Sequence, residues 1–125
     1  MNILIRNTSS TPIYEQIVSQ IKAMIISGAL QEGDALPSMR LLAKELRISV
    51  ITTKRAYEEL ERDGFIFSVT GKGSFVAEKN TELIREQHLK EMEAHLQAVV
   101  ELATRCGLSL EELQSMLALF YSGKD

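Results

Sequence analysis

Between Leu36 and Val76 the chain reads LPSMRLLAKELRISVITTKRAYEELERDGFIFSVTGKGSFV, and the order of signals in it leaves few folds open. Ser38 can cap a helix from Met39 to Leu46, with Leu41, Leu42, Ala43 and Leu46 on its apolar side. Arg47-Ile48-Ser49 is then a three-residue turn. Ser49 can cap a further helix that runs to Asp63 and stops at Gly64. Phe65–Val69 and Ser74–Ala77 are aromatic and β-branched runs around Thr70-Gly71-Lys72-Gly73, which predicts a β-hairpin. Two helices at a short turn followed by a hairpin is the order of a winged helix-turn-helix.

The flanks fit that frame. Thr11 is an acceptable N-cap and Pro12 suits the first helical position, so a helix is expected to open there. Ile13, Ile17, Ile21 and Met24/Ile25 recur at helical spacing up to Gly28, and Glu32-Gly33-Asp34 is a turn. Asn80-Thr81 marks a boundary, beyond which the chain is helical and acidic. Leu89, Met92, Leu96, Val99, Ala103 and Cys106 are spaced 3-4-3-4-3, a heptad-type stripe that Gly107 ends. Ser109 and Glu112 form a capping-box pattern for a last helix, with Leu110, Leu113, Met116/Leu117 and Phe120 on one side. The fold class is therefore mainly α with a small β-wing. The expected division is a winged helix-turn-helix at 1–78 and a helical dimerisation domain at 79–125.

The net charge of -3 would argue against a nucleic-acid partner if it were spread evenly. Residues 1–80 hold ten Lys/Arg and nine Asp/Glu, whereas residues 81–125 hold four and eight. Residues 38–57 carry Arg40, Lys44, Arg47, Lys54 and Arg55 against Glu45 alone. Phosphates respond to such local basic surface. No apolar run approaches the roughly 18 residues that span a bilayer, so no membrane partner is expected. The first residues lack a basic segment followed by a long apolar one, and the single Cys106 cannot close an internal disulfide; both fit a cytoplasmic location.

A helix that enters the major groove needs an anchored apolar face and a polar, partly basic one. In the third helix Thr53, Ala56, Tyr57 and Leu60 can face the core. That leaves Val50, Ile51, Thr52, Lys54 and Arg55 outward near the end that reaches base edges. Arg40 lies in the first turn of the preceding helix, where its fork suits phosphate or guanine. A glycine-rich wing lets backbone come close to DNA, with Lys72 at the tip for phosphate or the minor groove. Each charge alone could belong to a solvated face, and the glycines could merely close a hairpin. The ordered combination is what points to double-stranded DNA.

PIYEQI, LPSMRLLA and TKRAYEELERDGFI running into TGKGSFV make residues 12–78 resemble the N-terminal domain of the GntR family of bacterial transcription regulators. The short two-helix tail makes the chain similar to the YtrA-like subgroup. The resemblance implies a homodimeric regulator, usually a repressor, on an inverted-repeat operator, with ABC transporters often among the regulated genes. By position it places DNA contacts on Arg40, Ser49, Val50, Ile51, Thr52, Lys54, Thr70 and Gly71. Ser38, Arg55, Lys72 and Gly73 complete the candidate DNA-binding set. Many relatives carry Arg followed by Asn or Thr where this chain has Val50-Ile51. An apolar pair cannot hydrogen-bond guanine, but it can pack on thymine methyl groups.

Other constellations carry less. His88, Glu91 and His95 share a helix face, but two His and one carboxylate are too few for a closed structural metal site. Cys106 lies in the apolar stripe and reads as core. Thr70-Gly71-Lys72-Gly73 lacks phosphate-loop spacing and precedes a strand. No nucleophile–base pair stands out. The expectation is a non-enzyme with no catalytic residue, metal or cofactor, and the sequence assigns no small-molecule effector. The tail cannot bury both apolar stripes alone, so Leu89, Met92, Leu96, Val99, Ala103, Leu110, Leu113, Leu117 and Phe120 are expected to pair with a second copy. The competing reading is a winged-helix adaptor for protein partners without DNA specificity, whose DNA binding would lack a steep salt dependence.

Overall fold

The computed structural model describes residues 1–123. In chain order the elements are α1 (Ile13–Ser27), α2 (Met39–Leu46), α3 (Val50–Arg62), β1 (Ile66–Val69), β2 (Gly73–Val76), α4 (Thr81–Cys106) and α5 (Leu110–Ser122). They form two compact units, one from Met1 to Thr81 and a second that begins at Glu82.

In the first unit, α3 is the central element. Its Thr53, Ala56, Tyr57 and Leu60 are buried at the helical spacing expected of a core face. They meet Ile17, Val18 and Ile21 of α1, Leu42 of α2, and Phe65, Ile66 and Val76 of the hairpin. Two polar groups fix the α2–α3 geometry. The buried Thr53 hydroxyl bonds the carbonyls of Val50 at 2.8 Å and Met39 at 3.2 Å. The Tyr57 hydroxyl donates to the Pro37 carbonyl at 2.7 Å. Leu41 does not join the apolar side assigned to it. It is exposed, because Leu42 and Ala43 take the inward arc and Leu41 is turned about 100° from Leu42.

The helix ends follow their residues, with one exception. Ser38 accepts from the Leu41 N–H and Ser49 from the Thr52 N–H, each at 3.1 Å. Between them Arg47 takes φ 56, the only non-glycine positive φ among the described residues, and its N–H bonds the Ala43 and Lys44 carbonyls. The exception is Thr11, which does not cap α1. Pro12 holds the cap position with an extended ψ of 148°, no side chain caps the helix, and the first bond runs from the Gln16 N–H to the Pro12 carbonyl. Thr11 belongs to the preceding turn, where its carbonyl accepts from the Gln16 amide at 2.9 Å.

Residues 1–6 dock on α1 through two glutamines one turn apart. The Gln20 amide both accepts from the Leu4 N–H (2.9 Å) and donates to the Leu4 carbonyl (2.7 Å). Gln16 does the same for Arg6, at 2.8 and 3.0 Å. A carboxamide offers a donor and an acceptor side by side, as a peptide group does, so the pair satisfies alternate residues of an extended arm. Ile3 between them is buried.

β1 and β2 pair antiparallel with Ile66 opposite Val76, Phe67 opposite Phe75, Ser68 opposite Ser74 and Val69 opposite Gly73. Phe67 and Phe75 stack with centroids 5.7 Å apart on the outer face. The segment leading into α2 adds to this hairpin through a bridge between Ala35 and Phe75. The Leu36 N–H bonds the Ser74 carbonyl, and the Val76 N–H bonds the Asp34 carbonyl, both at 2.9 Å.

In the second unit α4 ends at Gly107, whose φ of 73° needs no Cβ, and Leu108 bonds back to Ala103 at 2.8 Å. Ser109 and Glu112 form a reciprocal capping box for α5. Of the apolar stripe on α4 only Ala103 is buried among the described residues; Leu89, Met92, Leu96 and Val99 are exposed. Cys106 is exposed too, not core: it lies at the last position of α4, beside the Gly107 turn. Leu96, Val99, Val100, Leu110, Leu113 and Leu117 line an apolar groove of about 380 Å³. No described helix is long and apolar enough to cross a membrane.

Candidate nucleic-acid interface

The first turn of α3 is built to project. Its face toward α1 and α2 is filled by Thr53, Ala56 and Tyr57, so Val50 and Ile51 are left 44% and 80% exposed. Thr52 is half-buried beside them, with its hydroxyl 2.8 Å from that of Ser49. Ser38 and Ser49 accept a backbone N–H in their helix caps, a role that uses an oxygen lone pair and not the O–H a phosphate would take. Arg40 is exposed in the first turn of α2, and Lys44 and Arg47 are exposed along the same helix and turn.

The cations of α3 differ in what holds them. Lys54 lies 3.9 Å from Glu58, both well exposed, a loose pair that water and salt screen. Arg62 pairs with Glu59 at 3.4 Å. Arg55 instead lies over the ring of Tyr14 in α1, 3.8 Å from its centroid, and donates to the Tyr14 hydroxyl at 3.2 Å. That hydroxyl donates to Glu15 at 3.1 Å. The hydrogen bond to the Glu15 carboxylate, with some burial, holds the Tyr14 phenol above its ordinary ionisation range.

The wing tip carries Thr70, Gly71, Lys72 and Gly73, all exposed, with the Lys72 N–H bonded to the Val69 carbonyl at 2.9 Å. Gly71 and Gly73 have φ of 78° and 109°, and nothing crowds the place of a Cβ at either. Glycine is there for the turn's handedness and leaves bare backbone at the tip. Glu61 anchors the base of the wing by accepting from the Ser68 N–H at 2.8 Å.

Every residue expected to touch DNA thus lies in the first unit, on α2, α3 or the hairpin. Sequence reasoning missed Tyr14. The only signal was an aromatic residue on an otherwise aliphatic helix, and its partner lies 41 residues away. Tyr57 and Lys22 are structural by contrast: Lys22 pairs with Asp63 at 2.9 Å and lies over the Phe65 ring, tying the end of α3 to α1. No group of three metal-capable side chains comes together among the described residues.

Comparison with known proteins agrees with this geometry. Residues 13–76 match the family described as "Bacterial regulatory proteins, gntR family". The chain is 36% identical to the HTH-type transcriptional repressor YtrA of Bacillus subtilis over 87% of its own length and 84% of that protein's. A solved structure of YtrA from Sulfolobus acidocaldarius, a GntR-family transcription factor, superposes with a TM-score of 0.60 at 36% identity, covering 74% of this chain and 97% of that one. The DNA-binding domain of AraR, solved in complex with operator ORX1, superposes with a TM-score of 0.55 at 28% identity, over 62% of this chain and 96% of that one. With the helix-turn-helix, the wing and these likenesses together, the chain belongs to the GntR family of DNA-binding transcriptional regulators.

Proposed function

We propose that the chain is a cytoplasmic, non-enzymatic repressor that binds an inverted-repeat operator as a homodimer, with transporter genes among its targets. The carrying observation is the exposed first turn of α3, flanked by Arg40 and a glycine-tipped wing. One such unit reads one half-site, and a two-fold dimer reads a palindrome. The exposed apolar stripe and groove of α4 and α5 support pairing with a second copy, because a solvated surface of that kind costs about 25 cal/mol per Å² left uncovered. The site residues and the division at 1–78 and 79–125 are part of this proposal.

Footprinting of the region upstream of its own gene is the direct test. Two symmetric protected half-sites are expected, with log K falling by about 0.9 per phosphate contact for each unit of log salt. A single unsymmetric footprint, or affinity indifferent to salt, would refute the reading.

Val50 and Ile51 make a second prediction. With no polar atom on either side chain, their contribution to base choice is contact with thymine methyl groups. Replacing thymine by uracil within the half-site should lower affinity about fourfold at one position at least, the worth of one buried methyl. Unchanged binding at every such position would remove these two residues from direct readout.

A further inference from the structure

We propose that Tyr14 is a positioning residue for DNA binding: it holds the Arg55 guanidinium in place to contact one backbone phosphate at the flank of the recognition helix. The inference rests on the DNA-binding reading above and adds to it a residue outside the helix-turn-helix.

Three observations carry it. First, among the cations of α3, Lys54 and Arg62 have carboxylates within 4 Å, and Arg55 has none among the described residues. Its charge is not cancelled by direct pairing. Second, Arg55 is nonetheless held. Its guanidinium carbon lies over the Tyr14 ring, 3.8 Å from the centroid, and one N–H donates to the hydroxyl at 3.2 Å. The contact with Tyr14 uses one N–H, and the other guanidinium N–H groups have no further hydrogen-bond partner among the described residues, which leaves donors in a held fork of the kind that suits phosphate oxygens. A side chain ordered in advance loses less rotamer freedom on binding. Third, Arg55 lies one turn beyond Ile51 on the same stripe of α3. Since the first turn of such a helix reaches the base edges, the next turn on its flank lies at the height of the groove wall, where the phosphates are.

The Tyr14 hydroxyl has a defined part. It accepts from Arg55 and donates to Glu15. The ring supplies the platform and the hydroxyl sets the rotation of the guanidinium on it. Tyr14 is half-buried and packs against the edge of the core cluster without belonging to its buried centre, so its removal should lower stability but leave the unit folded.

The test is a set of anisotropy titrations of the full chain with the duplex recovered by footprinting, across a range of salt. Arg55→Ala should weaken binding about tenfold and make the salt slope shallower by about 0.9, one phosphate contact. Tyr14→Ala should weaken binding severalfold with Arg55 still present, and add nothing once Arg55 is alanine. Tyr14→Phe, which keeps the platform, should restore most of the loss. Thermal melts should show all three variants folded. If wild-type protein shows no salt-dependent binding, the DNA-binding reading fails. If wild type binds but Tyr14→Ala matches it, or if the Tyr14 and Arg55 losses simply add, the positioning role is wrong.

Discussion

Removing residues 79–125 is expected to lower affinity for an inverted-repeat duplex by about 10²–10⁴-fold while leaving each half-site readable. The core cluster of the first unit runs from Ile3 to Val76 and draws on nothing beyond it, so the shortened chain should fold. What it loses is linkage. In a dimer the second half-site is bound intramolecularly, at an effective concentration near the millimolar range, and that factor disappears when the two readers separate. The salt slope should halve with the number of phosphates covered. A finer variant keeps the full chain: Val99→Asp puts a carboxylate into the apolar groove of α4 and α5. A charge there can be buried only at high cost, so the variant should sediment as a monomer and bind like the truncated chain. Full affinity in either variant would show that pairing does not depend on the tail.

Tyr57→Ala should be the most damaging substitution in the first unit, costing about 3–5 kcal/mol. The side chain is 2% exposed at the meeting of α2, α3 and the segment before α2. Its loss leaves a cavity and also strands the Pro37 carbonyl that its hydroxyl satisfies at 2.7 Å. Against a total stability of about 5–15 kcal/mol, that brings the unit close to unfolding, which chemical denaturation would read directly. Tyr57→Phe keeps the volume and should cost only about 1 kcal/mol. Burial, helped by Glu45, raises the Tyr57 phenol above the ordinary tyrosine value near 10. The folded state therefore favours the neutral ring. That contribution is complete below about pH 10 and is lost as pH rises from there toward the folded value. The phenylalanine variant should lack this alkaline decline.

Most of the first unit was legible because its signals are local. Ser38 and Ser49 each sit beside the helix they cap, and the glycines at 71 and 73 stand where the hairpin must turn. Thr53, Ala56, Tyr57 and Leu60 declare their face by spacing alone. The failures were of three kinds. Thr11 and Pro12 compete for one cap, and the winner depends on Gln16 reaching back to the turn, a contact the spacing does not encode. Leu41 and Cys106 are apolar residues whose burial depends on what lies opposite, and among the described residues both are left exposed. Tyr14 and Arg55 were invisible as a pair for a third reason: tertiary contact across 41 residues leaves no periodicity to detect.

The bridge between Ala35 and Phe75 makes the wing and the start of α2 parts of one lever. Through the bonds of Leu36 to Ser74 and Val76 to Asp34, a tilt of the hairpin is passed along the backbone to Ser38 and Arg40. A wing drawn toward a duplex is therefore expected to carry the first turn of α2, and Arg40 with it. Base preferences at the operator's edge and at the Arg40 position should be chosen jointly, as pairs, whereas those facing Ile51 vary on their own.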